Sequence, residues 1–175
     1  MSIYGTWTAK HYFAKTLQDY LPTEVAAINT EDPAGVVLTV PTTADVVTYS
    51  VAGEGQQWPF TVAPILFEVL CDTSTVTEWA LAEMNRSLLT MEHEVDLRIS
   101  VRDSATEGGS ILREKLELYV AACDRVVAIE RIQLGYAAGV NWCVPVSCTY
   151  RNTDWDKAVA QATRRYIVRT REVNT

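Results

Sequence analysis

Three carboxylates, Glu92, Glu94 and Asp96, occupy alternate positions of one short segment. In an extended chain they would project from one face at intervals of about 7 Å. Carboxylates so placed could serve as acid and base in glycoside hydrolysis, or hold a divalent cation. Arg98 and Arg102 continue the same row, however. Mixed signs along one face predict neighbouring counter-charges instead of an acid–base pair. The row is then either a solvated sheet face or, as we prefer, a docking row that meets an oppositely patterned surface on another subunit. Arg165, Arg169 and Arg171 are the candidates for that surface. They share one phase of a later segment, with Ile167 and Val173 between them, while Arg164 and Glu172 take the other. The segment is expected to be an exposed edge strand, which needs protection or a partner.

Other chemistry finds less support. The two histidines, His11 and His93, lie in different elements, and no Cys-x-x-Cys pair exists. Cys143 and Cys148 are five apart, so a regular strand would send them to opposite faces and deny them a shared ion. Cys71, Cys123, Cys143 and Cys148 are expected as buried thiols. No Gly-x-Ser-x-Gly elbow is present. Ser110 follows Gly108 and Gly109, and His93 lies on the preceding strand. Yet His93 is in phase with the apolar side and reads as a hydrogen-bonded core residue. The Gly108–Gly109–Ser110 turn could cradle a phosphate, but no Gly-Lys-Ser/Thr follows, so a strand-to-helix turn is expected. The five tryptophans, Trp7, Trp58, Trp79, Trp142 and Trp155, are scattered singly and read as core or interface residues. No catalytic residue, metal site or cofactor is expected, and the chain reads as a non-enzyme.

The elements that would position these residues follow from periodicity. Trp7 to Leu21 predicts a helix, with Phe13, Leu17, Tyr20 and Leu21 at helical spacing. Pro22 is expected to interrupt it before a short helical stretch over Thr23 to Asn29. Residues 30–64 read as a long connection containing a strand at Val46 to Val51 and a glycine loop at Ala52 to Gln57. Ile65 to Leu70 predicts a buried strand, and Val76 to Met84 a partner strand. Glu92 to Arg102 alternates throughout, with His93, Val95, Leu97, Ile99 and Val101 on one side. A long helix is expected from Ser110, as N-cap, to Val127, burying Leu112, Leu116, Tyr119, Cys123 and Val126. Strands are expected over Ile129 to Tyr136, Trp142 to Tyr150 and Arg164 to Val173, with a turn at Gly139 and a loop or helical turn over Asn152 to Asp156. The sum is one α+β domain spanning residues 1–175, a mainly antiparallel sheet flanked by an N-terminal helix and one long central helix.

Composition sets outer bounds. The chain has 175 residues, 48% of them hydrophobic and 21% charged, enough to bury a core. Its net charge of -7 argues against a whole-surface nucleic-acid binder, which would be basic. No apolar run reaches the length of a membrane span, and the first residues lack a signal-peptide layout, so folding in a reducing cytoplasm is expected.

Several stretches resemble the tail terminator, or tail-completion, proteins of long-tailed bacteriophages. They are Leu17-Gln18-Asp19-Tyr20-Leu21-Pro22 followed by Val25 to Glu31, the strand Pro64 to Val69, the unit Glu94 to Val101 with Ile111 to Val127, and the strand Tyr166 to Val173. The likeness is one of element order and apolar phase. It implies a homo-oligomeric ring, a hexamer, that sits on the tail tube protein, stops tail growth and offers a joining surface to a head-side connector protein. It implies a place in the virion after synthesis in the host cytoplasm, DNA that only passes through the pore, and no active site to carry over. Other phage neck and connector proteins share parts of this layout. A small-ligand module using the tryptophans and the Gly53–Gly55 loop is the alternative from a different class.

Overall fold

The computed structural model describes residues 5–31, 35–49, 64–82, 86–102, 109–138, 140–153 and 159–174. It is an α+β fold: helix α1 (Gly5–Glu31), strands β1 (Val46–Val47), β2 (Ile65–Ala82) and β3 (Arg86–Arg102), helix α2 (Gly109–Ala138), then β4 (Val140–Thr153) and β5 (Val159–Asn174). A single 3-10 turn at Thr43–Asp45 precedes β1.

The five strands form one sheet in the order β1-β2-β3-β5-β4. Only the two-residue β1 pairs in parallel; β2–β3, β3–β5 and β5–β4 are antiparallel. β3 and β4 therefore run in the same direction with β5 between them, and α2 is the crossover that joins them. Both helices pack on one face of the sheet. From α1 they bury Ala9, Phe13, Leu17, Leu21, Val25 and Ile28; from α2, Leu112, Leu116, Tyr119, Cys123, Val126 and Val127. The sheet answers with Phe67, Val69, Val95, Leu97, Ile99, Ala162, Tyr166 and Val168. Phe13 lies 4.9 Å from Tyr166 between ring centroids, and Phe67 meets Tyr119 edge-on at 5.8 Å. Each large side chain so buried contributes about 1.5–3 kcal/mol.

Four expectations are corrected. First, α1 runs unbroken through Pro22. The lost proline N–H and the ring's clash with the preceding turn disfavour a helix there, but the buried stripe continues on both sides and outweighs them. Second, the segment over Ile129 to Tyr136 is the last part of α2, not a strand. Alternation of Ile132, Leu134 and Tyr136 mimics a strand, yet extending an existing helix adds one hydrogen bond per residue fixed. The same helix begins at Gly109, which places Ser110 inside the first turn instead of at the N-cap. Third, Val76 onward is not a partner strand but the continuation of β2 past register shifts at Leu70/Thr73 and Val76/Glu78. Fourth, β5 is an inner strand hydrogen-bonded on both sides, so the arginine-bearing segment is no edge.

Between α1 and β1 the chain forms an extended strap. Its backbone is held by side chains: Asn29 accepts from the Leu38 N–H at 2.8 Å and donates to the Leu38 carbonyl at 2.9 Å. Tyr119 donates to the Thr39 carbonyl at 2.8 Å, and Gln18 to the carbonyls of Thr43 and Val46. Of the strand expected at Val46 to Val51, Val46–Val47 form β1, Thr48 and Tyr49 bend away from it, and Ser50 and Val51 lie outside the described residues. The Ala52–Gln57 loop, Gly139 and the Asp154–Asp156 part of the expected loop lie outside the described residues.

Candidate functional site

Among the described residues no helix covers the second face of the sheet, although Leu66, Glu68, Ser100 and Gln161 at one end of it are buried; every candidate docking residue with a described side chain lies on this face. Register sets the columns. Glu92, Glu94, Asp96 and Arg98 of β3 stand opposite Arg169, Ile167, Arg165 and Thr163 of β5. On the far side of β3, Arg98 stands opposite Glu68 and Asp96 opposite Leu70. Arg102 extends the β3 row and is exposed; Arg171 is placed opposite Thr90, and its side chain lies outside the described residues.

The expected counter-charges are therefore present, and they belong to the neighbouring strands of the same chain. Arg165 makes a two-pronged pair with Asp96, Nε at 2.7 Å and Nη2 at 2.9 Å, and its Nη1 lies 3.3 Å from Glu94. Arg169 donates through Nε to Glu92 at 3.1 Å and also through Nη2. Arg98 reaches within 3.5 Å of Glu68, which is fully buried. The planar guanidinium fork fits a carboxylate across one ladder spacing, which gives these pairs fixed geometry. The hydrogen bonds to Asp96 raise the pKa of Arg165 further above its ordinary value. The acidic row thus meets its arginine row within one protomer, and satisfying those charges needs no second copy.

An open groove of about 230 Å³ lies over this face, where the β2 register shift turns Asp72 and Thr73 toward Glu94, Asp96, Arg98 and Arg165. Ligand pockets for organic molecules are larger, roughly 300–1,000 Å³, and mostly apolar. Among the described residues no group of three His, Cys, Asp or Glu side chains is arranged to hold a metal ion.

The helix-covered face holds further polar groups. His93 is fully buried, with Nδ1 2.6 Å from the Ser74 hydroxyl and Nε2 2.8 Å from that of Thr170. It is the hydrogen-bonded core residue its phase predicted. Asp124 of α2 accepts from Arg164 Nε at 3.0 Å and Nη2 at 2.6 Å, and from the Tyr166 hydroxyl at 2.8 Å. Sequence reasoning passed over this clamp. The signal was available: Arg164 falls in the apolar phase of β5, and a charge there requires a partner from the layer above.

The thiols are free, three of them buried and Cys148 partly so. Burial pushes Cys71 up to about 11 and Cys143 up to about 12, and raises Cys123 as well. The strand that carries Cys143 and Cys148 is not regular: a shift between Pro145 and Ser147 inserts Val146. Cys143 then stands opposite Val168 and Cys148 opposite Arg164, on one face but four β5 positions apart. That separation, roughly 13 Å, still denies them a common ion. Of the tryptophans, Trp7 is exposed and stacks on His11 at 4.1 Å; the side chains of Trp79 and Trp142, and residues Trp58 and Trp155, lie outside what is described. No helix among the described residues is long and apolar enough to cross a membrane. The chain matches no family model and no curated protein.

Proposed function

We propose that the chain is a structural assembly protein of a long-tailed bacteriophage. In this reading, copies form a ring of six that caps the tail tube, stops its growth and presents the surface that joins the head. Its partners are other copies of itself, the tail tube protein and a head-side connector protein, and DNA passes through the pore unbound. The reading rests on the resemblance described above. The observation that carries it furthest is the two-faced sheet. One face is sealed by both helices; the other presents Arg165–Asp96 and Arg169–Glu92 pairs held across adjacent strands, with Arg98 reaching down to the buried Glu68. Charges matched in this way form a stiff surface that another protein can cover without stranding those ions, the main penalty of burying charge.

The chain's acidity suits a pore wall, since like charge weakens adhesion to DNA. The alternative of a small-ligand module would use the tryptophans and the Gly53–Gly55 loop, which apart from Trp7 lie outside the described side chains; the groove above the ion pairs is small and charged, which argues against an organic ligand there.

Light scattering and negative-stain electron microscopy of the purified protein, alone and with tail tube protein, test the reading. Rings, either free or on tube ends, are expected. A chain that stays monomeric at high concentration and leaves tube ends bare refutes it.

A further inference from the structure

We draw no further inference here: the strongest candidate, the small groove on the open sheet face where Asp72, Glu94 and Asp96 gather, is an acidic cluster whose Glu94 and Asp96 are already bridged by Arg165 of the same chain, and nothing in the structure shows what would occupy it.

Discussion

Replacing Asp124 with alanine isolates the force that holds α2 on the sheet. The carboxylate accepts two hydrogen bonds from Arg164 and one from Tyr166, and their side chains lie in the interior layer: Arg164 is 17% exposed and Tyr166 fully buried. Alanine orphans the phenol, at about 1–3 kcal/mol, and leaves a mostly buried guanidinium without its counter-charge. A fully buried charge so stranded costs about 3–5 kcal/mol, and the residual exposure of Arg164 trims that figure. The two losses share one acceptor, so their sum is held to about 4 kcal/mol. For a domain of this length that is a fall in melting temperature of roughly 8–16 °C. Asp124→Asn keeps an acceptor for both donors and is expected to lose about half as much. Urea denaturation and calorimetry at one low protein concentration would read both variants. An alanine variant within about 1 kcal/mol of wild type, or an asparagine variant as damaged as alanine, would refute the assignment of Asp124 as the clamp.

Further outcomes follow from the same geometry. Arg165→Ala, on the open face where the side chain is 44% exposed, is expected to change stability by no more than about 1 kcal/mol, checked by the same urea series. Pro22→Ala restores a hydrogen-bond donor inside α1 and is expected to raise the melting temperature; a fall would mean the proline is needed for the helix's path. Because burial raises the folded pKa of Cys71 and Cys143 above the usual 9.0, the stability they contribute is complete below pH 9 and lost as pH climbs toward about 11 and 12. Urea midpoints should hold steady to pH 9 and then fall, and native protein should react with a thiol reagent at Cys148 before the other three. Arg125, bonded to Glu31, lowers that carboxyl's pKa, so its contribution is present above 4.5 and disappears as pH falls through the lowered value. Arg125→Ala should flatten the acid limb of the stability profile.

The parts legible in the sequence were those with an unbroken period. The alternation of β3 and the stripe Leu112–Leu116–Tyr119–Cys123–Val126 of α2 each repeat long enough to exclude the rival period. His93 could be placed because it kept phase with four aliphatic residues. Where signals were short, local rules misled. Pro22 reads as a stop because the packing that carries α1 past it is tertiary. Three alternating residues after Val127 read as a strand because the helix they extend is invisible to a local window. The charged rows were located correctly, but their partners were sought on another molecule: strand order is set by the crossover of α2, and nothing in the two segments says that β5 returns beside β3. The Val146 bulge was equally hidden, since an inserted residue changes the phase of everything after it.

That return has a consequence for how the protein is made. As synthesis proceeds, β3 has only β2 beside it while the whole of α2 and β4 emerge from the ribosome. The sheet can close only when β5 slides into the gap, zipping along two flanks at once and bringing Arg164 to Asp124. Its pairings with β3 span large sequence separations, which makes them slow to form. The nascent chain therefore waits with an unfilled slot, a vulnerable interval in which chaperone capture or strand exchange between neighbouring chains competes with maturation. Removing β5 would be expected to yield two halves that cannot cohere, far worse than the loss of any single contact suggests.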